Sequence, residues 1–455
     1  MIDFTNAQID SILKIIACRS GDFGEIFAEE SASASISFIA GKVDRVSSGT
    51  ASGFGLRLIR EGETYYASGT DISFDLMTDL ARKISGEKCA KELIVSEYAD
   101  CGSHIPSVNS VALKDFVVVF QEIDKKFRKN LNIKQISFSV SLSGKKYFVA
   151  NNNGIFIKNG KNSAVFVANI TVSDGKTVQT AHEVAAETSL SNITSAMLRD
   201  VSLAAYSRAD RLLNNAIPAP AGEMTAVICS SAGGTMIHEA IGHSLEADAV
   251  QKGISPVYKD KKGKKVASEL ITVIDDPTIP YLRGSYKYDD EGTPSCRTVL
   301  VENGILKNYL YDNYTAKKDG VDSTGNGRRQ SYNYKPIPRM SNTYIAPGNN
   351  SPEQILRSVE NGIFVKKMGG GQVNTANGDF IFEVEESYEI KNGEVGRMLR
   401  NASLIGNGPK ILNSIDMVGK DLGWQPGTCG KDGQGVPVCD GQPTLRIPKI
   451  IVGGI

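Results

Sequence analysis

The sequence predicts an α+β protein whose N-terminal half holds two similar helix–β–helix units and whose C-terminal half is β-rich with one conspicuous helix. Three observations carry this. Apolar stripes at helical spacing bracket alternating strand-like runs twice within the first 216 residues. A Pro/Gly linker, AIPAPAGE at 216–223, then marks the clearest boundary. Beyond it, short strand-like runs are separated by Asn-Gly pairs at 303–304, 361–362, 377–378 and 392–393, which read as hairpin turns. A chain of 455 residues exceeds what one hydrophobic core serves. We therefore expect domains at 1–110, 111–216 and 217–455.

In the first unit, Ile9, Ile12, Leu13 and Ile16 share a helical face. SASISFIAG and GFGLRLI follow as strands, the second with Phe54, Leu56 and Leu58 alternating, and a turn at Glu61-Gly62 returns the chain through Tyr65 and Tyr66. Leu76, Met77, Leu80 and Ile84 mark a second helix. The next unit repeats the order. Leu113, Phe116, Val117, Phe120, Ile123 and Phe127 form a helical stripe, and Ile136, Phe138, Val140 and Leu142 alternate as a strand. Turns at Asn153-Gly154 and Asn159-Gly160 each precede a further strand, and a helix over 192–214 closes the unit. The repeated order suggests an internal duplication.

Composition narrows the function classes. Lys plus Arg and Asp plus Glu both total 51, so no global charge favours nucleic acid or an anionic membrane. No apolar run approaches the ~20 residues that span a bilayer. The N-terminus lacks the basic start and unbroken apolar core of a signal peptide, which points to a cytoplasmic protein. Seven scattered cysteines without a CxxC pair predict free thiols rather than a disulfide framework.

The chemistry is concentrated just after the linker. MTAVICSSAGGTMIHEAIGHSLEADAV reads as a strand, a small-residue turn and a helix, and it contains H-E-x-x-x-H at His238, Glu239 and His243. Two of only four histidines fall in this pattern. Neutral imidazoles bind Zn²⁺, and a carboxylate beside the first ligand reaches the metal's water as general base. The spacing is unusual. On a regular helix, residues i and i+5 diverge by about 140°, so the helix must be distorted between the histidines by a π-type turn or an early end. Gly242 would supply backbone freedom for this. His182-Glu183 also begins H-E, but no second histidine follows; we read it as structural, in sequence connecting a strand to a helix. A catalytic zinc needs a third protein ligand. Cys429, in a glycine-rich loop, is one candidate, and Cys439 and Cys229 compete with it. Glu246 and Asp248 are candidate partners for the second nitrogen of a ligand imidazole.

Several segments in order resemble the TldD/PmbA family, and specifically its TldD-type subunit: HEAIGHSLEAD, YKYDDEGTP, GNGRRQSYNYKPIPRMSNTYI, GGGQVNTANGDF, then TCGKDGQGVPV followed by GQPTL. The resemblance is close across the C-terminal half and looser over GKVDRVSSGTASGFGLRLI. It implies a protease with one Zn²⁺ per chain held by His238, His243 and the cysteine of the CGKxGQ loop, Cys429. PmbA (TldE) subunits lack the H-E-x-x-x-H motif, so this chain is similar to the catalytic kind. The resemblance also implies a homodimer, or a heterodimer with a PmbA/TldE-type subunit, that encloses a cavity and acts on unfolded or leader-type peptides. Cys439 departs from the family pattern, which makes oxidation between Cys429 and Cys439 conceivable.

The expected function is thus zinc-dependent peptide hydrolysis by a zinc-activated water, with Glu239 as general base. Arg328, Arg329 and Asp290 are candidate substrate-binding residues; the competing readings are an interdomain salt-bridge cluster for the two arginines and a solvated loop for Asp289, Asp290 and Glu291. Gly369 to Gly371 lack a following G-K-[ST] and so do not read as a phosphate cradle. The rival functions are a non-catalytic zinc-binding scaffold or regulatory subunit of a peptide-processing complex, and a nucleic-acid-binding regulator. The neutral charge balance disfavours the latter.

Overall fold

The computed structural model describes residues 4–86, 99–100, 113–374 and 376–454. Helix α1 (Asn6–Ile16) buries its predicted stripe of Ile9, Ile12, Leu13 and Ile16. A capping box starts it: the Thr5 hydroxyl accepts from the Gln8 amide, and the Gln8 side chain accepts from the Thr5 amide. Strands β1 (Phe23–Ile39) and β2 (Lys42–Arg60) form a long hairpin closed by Ala40-Gly41, both at positive φ. β3 (Glu63–Gly69) returns after Glu61-Gly62, and α2 (Phe74–Ser85) covers the meander. The two-residue β4 (Ala99–Asp100) precedes α3 (Leu113–Phe127). β5 (Ile133–Asn151), β6 (Phe156–Ser173), β7 (Val178–Glu187) and α4 (Ser195–Asn214) then repeat the order.

The two meanders join into one sheet, in the order β3-β2-β1-β5-β6, with β7 and β4 on the outer edge of β6. The junction is antiparallel, from Glu25 opposite Asn151 to Ile39 opposite Ser137. α1 and α2 pack with Phe54, Leu56, Leu58 and Phe148 on one stretch of the sheet, and α3 and α4 with Phe38, Phe138 and Phe166 on another.

Two local expectations fail here for the same reason. Asn159-Gly160 is not a turn but lies inside β6, in register with Tyr147 and Lys146. Unbroken pairing along β5 outweighs the local turn preference, and the Asn159 amide donates to the Tyr147 hydroxyl at 3.0 Å. His182-Glu183 likewise lies on β7 rather than in connecting sequence, with His182 opposite Asn169.

After β8 (Ile217–Pro218) and β9 (Gly222–Ile228), the C-terminal half builds two large sheets and a two-stranded ribbon of Gly327–Arg328 with Ile337–Pro338. One contains β8, β9 and the strands Asn361–Val373, Asp379–Lys391, Glu394–Arg400, Ala402–Asn407 and Leu445–Gly453. The other ends in the strands Asn342–Ile345, Gln434–Gln442 and Gly423–Lys431, with the last at its edge. The helical stretch that begins at Thr235 shares its core with residues of both sheets: Met236, Ile237 and Ile241 pack in one cluster with Ile228, Val365, Val436 and Val438. Asn303-Gly304, Asn377-Gly378 and Asn392-Gly393 fall between paired strands as expected. Asn361-Gly362 instead opens a strand, because Gly362 pairs in parallel with Thr225 of β9. The fold is mixed α and β, rich in strands. No helix among the described residues is long and apolar enough to cross a membrane.

Candidate metal centre

The helix that follows β9 is distorted where the histidine spacing requires it. One α-helical turn over Thr235–Ile237 passes into a π turn over His238–Gly242, then a 3₁₀ turn over His243–Leu245. The His243 amide donates to the His238 carbonyl, an i→i+5 bond. This wider turn brings the two imidazoles back to one side, with ring centroids 5.0 Å apart and planes at 87°.

The reason for Gly242 differs from the expected one. Its backbone is ordinarily helical, at φ −55°, so it uses no special freedom. What demands glycine is space: a Cβ at 242 would run into the Met340 sulfur. Gly234, at the helix start, is needed in the same way, because a Cβ there would collide with the backbone of Asp440 and Gly441.

Cys429 completes the cluster. Contrary to expectation it stands on a strand, Gly423–Lys431, paired with Val436 across the Asp432-Gly433 turn. His238, His243 and Cys429 each offer a ligand atom, and these lie within 4.8 Å of one another. The Cys429 sulfur is 3.4 Å from His243 Nε2. Cys229 and Cys439 are not in the group. Cys229 directly follows β9, and its sulfur accepts from the Ser231 hydroxyl.

Side chains alternate across the hairpin, so Cys429, Val436, Val438 and Asp440 share one face while Cys439 faces the other. Cys439 pairs with Pro426, three residues along from Cys429, or roughly 10 Å at strand rise. That exceeds the reach of a disulfide and rules out the Cys429–Cys439 link in this fold. Both thiols are free. Burial, reinforced by the Asp440 carboxylate, pushes the Cys439 thiol up to about 12.

Each imidazole is held by a carboxylate at Nδ1, which leaves Nε2 as the nitrogen available to a metal. His238 Nδ1 is 2.7 Å from Asp440 Oδ1, and His243 Nδ1 is 3.1 Å from Glu246 Oε2. Of the two acids expected to serve this role, Glu246 does. Asp248 instead accepts from Lys431 Nζ at 2.6 Å, and the same ammonium lies 3.0 Å from Glu246. Burial would raise the Glu246 pKa, but Lys431 and His243 outweigh it and hold the carboxyl down at about 2. Burial would also raise Cys429, yet the two imidazoles lower it to about 6. A ready thiolate, two carboxylate-oriented imidazoles and burial make a donor set that fits Zn²⁺.

Glu239 lies within the π turn, half-buried. Among the described residues its carboxylate has no hydrogen-bond or ion-pair partner, so it is free to meet a ligand. Sequence reasoning missed three supports. Asp440 could have been found by counting two-residue steps across the hairpin from Cys429. Lys431 and fully buried Arg339, which donates to the carbonyls of Cys429 and Gln434, carried no local signal.

The substrate candidates lie elsewhere. Arg329 is buried on Glu25 at 2.5 Å, and its amide donates to Asp290, whose other oxygen accepts from Lys161 at 2.9 Å. These two residues tie the N-terminal sheet to the C-terminal half, as the salt-bridge reading held, and the burial of Asp290 overturns the solvated-loop expectation. Arg328 lines a separate cleft.

The model of the PmbA/TldA metallopeptidase C-terminal domain matches residues 221–454, and that of PmbA/TldA metallopeptidase domain 1 matches 24–93. The chain belongs to the TldD/PmbA family. A metalloprotease of Methanocaldococcus jannaschii is 37% identical over 96% of this chain and 98% of its own length. A zinc metalloprotease TldD homolog of Saccharolobus solfataricus is 37% identical over 51% of this chain and 52% of its own. The TldD/PmbA fold is seen in a Thermotoga maritima structure described as a modulator of a DNA gyrase, at TM-score 0.80 and 19% identity, covering 99% of this chain and all of that one. TldE from Thermococcus kodakarensis aligns at TM-score 0.75 and 20% identity, over 98% of this chain and all of that one.

Proposed function

We propose that this chain is the catalytic, TldD-type member of its family: a zinc-dependent peptidase that hydrolyses unfolded or leader-type peptides. The observation that carries the reading is the convergence of His238, His243 and Cys429 around a π turn that also bears Glu239. His238 Nε2, His243 Nε2 and the Cys429 thiolate would hold one Zn²⁺. When bound, Zn²⁺ supplies Lewis acidity, polarising the scissile carbonyl and acidifying a water. The Glu239 carboxylate takes a proton from the attacking water and returns it to the leaving nitrogen. Asp440 and Glu246 fix the imidazole tautomers, and Lys431 keeps Glu246 ionised. We take residues 217–455 as the catalytic unit, with 1–110 and 111–216 as the two units that precede it and share one sheet. The resemblance to TldE supports assembly as a homodimer or as a heterodimer with a TldE-type subunit. A second reading, a non-catalytic zinc-binding scaffold, draws on the solved relatives described as modulators of DNA gyrase.

The test is zinc content by elemental analysis alongside cleavage of an unfolded peptide. Wild type should bind one zinc and cleave; His238→Ala and Cys429→Ala should lose both. Glu239→Gln should keep zinc and lose about 10²–10⁴-fold in rate. Full activity in zinc-loaded Glu239→Gln would sink the mechanism, and zinc without cleavage in wild type would favour the scaffold.

A further inference from the structure

A cleft of about 220 Å³ lies between Asn159–Ser163 of β6 and a wall formed by Arg283, Tyr286, Lys287 and Arg328. Arg328 is 2% exposed. Its guanidinium stacks 5.0 Å over the Tyr286 ring and donates to the carbonyls of Met340 (2.5 Å) and Pro437 (2.7 Å). Arg283 donates to the Gly427 carbonyl (3.0 Å), the Ser163 hydroxyl (2.5 Å) and the Thr428 hydroxyl (3.3 Å). Every acceptor is neutral.

Among the described residues, neither guanidinium meets a carboxylate. Three other buried arginines do: Arg57 and Arg329 meet Glu25, and Arg208 meets Glu386, whereas Arg339, which donates to the carbonyls of Cys429 and Gln434, does not. Desolvated charge is costly without a counter-charge. The strain shows in Arg283, whose pKa is lowered by burial and by the neighbouring Arg328, against a partial offset from Cys439. Lys161, also in the cleft, is already spent on Asp290, and Lys287 stands exposed at the rim. Glu187 is the one carboxylate among the lining residues, and it accepts from Asn192. The cleft thus presents two uncompensated guanidiniums, the group best suited to a carboxylate.

Its position suggests whose carboxylate. Arg283 holds Gly427 and Thr428 on the edge strand that carries Cys429, and Gly427 is two residues, about 7 Å, from Cys429. We infer that this cleft binds the C-terminal carboxylate of an extended peptide substrate, anchoring its end a short distance along the strand from the metal centre. The identity of the ligand rests on the peptidase reading; the unmet charge does not.

The experiment compares an unfolded peptide ending in a free carboxylate with the same peptide as its C-terminal amide. Binding is measured by fluorescence anisotropy to full-length, zinc-loaded Glu239→Gln, so that no turnover is needed. The acid should bind about tenfold tighter. In Glu239→Gln/Arg283→Gln the gap should close, while Arg283→Lys, which keeps the charge, should retain most of it. Equal binding of acid and amide, binding of neither, or a gap that survives Arg283→Gln overturns the proposal. N-acetylglycine serves as a competitor. If it binds while the two peptides bind equally, the cleft takes small free carboxylates and the peptide assignment is wrong. Cleavage by the wild type is read separately: its absence would sink the peptidase reading and leave the acid–amide comparison standing.

Discussion

Asp440 and Glu246 perform the same task from different directions. Glu246 follows His243 by three residues, while Asp440 reaches His238 from 202 residues away. Both hold an imidazole in one tautomer and raise its basicity toward a metal. We expect Asp440→Asn, which removes the charge and keeps the shape, to weaken zinc binding by about 10–100-fold. Competition against a calibrated chelator would check this, and an unchanged affinity would show that His238 needs no anionic partner. The local sequence made the two histidines and Glu239 conspicuous, because H-E-x-x-x-H is compact. Asp440 was not conspicuous: its role depends on the register of a hairpin, and nothing in CDGQP distinguishes it from a solvated acid.

The metal-binding element is a helix that departs from regularity to serve its spacing. That departure was readable, since five residues cannot place two side chains on one face of an α-helix. The reason for Gly242 was not, because the Met340 sulfur that crowds it arrives from a different part of the chain. Gly242→Ala should therefore act through collision. Either the buried Met340 side chain or the helix must give way, and we expect a loss of about 1–3 kcal/mol, typical of overpacking, with weakened zinc binding. Gly242→Ala combined with Met340→Ala should recover part of the stability in urea unfolding. Failure to recover would place the requirement back in the backbone. The same contrast runs through the turns. Glu61-Gly62 and Asn392-Gly393 stand where local preference put them, whereas Asn159-Gly160 and Asn361-Gly362 were drawn into strands by neighbours that a local reading does not contain.

Across the whole molecule, buried charge joins the N-terminal sheet to the C-terminal half. Glu25 on β1 accepts from Arg57 of β2 at 2.7 Å and from Arg329 at 2.5 Å, and Arg57 also meets Glu291 at 2.5 Å. All four side chains are buried. Glu25→Gln removes the charged partner of buried Arg329 and leaves Arg57 with Glu291 alone, and we expect it to cost about 3–5 kcal/mol in urea unfolding. A cost below about 1 kcal/mol would show that water or rearrangement compensates them. A second junction links α4 to the strand Asp379–Lys391 through Glu386, which Arg208 contacts at 2.9 Å. Burial would raise the Glu386 carboxyl, but Arg208, Tyr388 and Lys366 hold it at about 2, below its ordinary 4.5. A depressed carboxyl contributes stability above its unfolded pKa, so this contribution is present above about pH 4.5 and lost as pH falls toward 2. Glu386→Gln should flatten the acid limb of a melting-temperature profile between those values and leave its shape near neutrality unchanged; an unaltered acid limb would place the acid sensitivity elsewhere.

By itself the sequence determined the strand-rich mixed fold, most of the helices and hairpins, the two histidines with Glu239 between them, and the need for a distorted helix. Each of these follows from short-range periodicity or from a compact motif. Only the tertiary structure decided that Cys429 stands within ligand distance of those histidines while Cys439 faces away. It also decided that Asp440 and Lys431 support the site, that Arg329 belongs to a junction, and that Arg283 and Arg328 share a cleft. The physical reason is common to all of these. They are contacts between residues far apart in the chain, set by strand register and by the packing of one sheet on another, and neither is encoded within a window of ten or twenty residues.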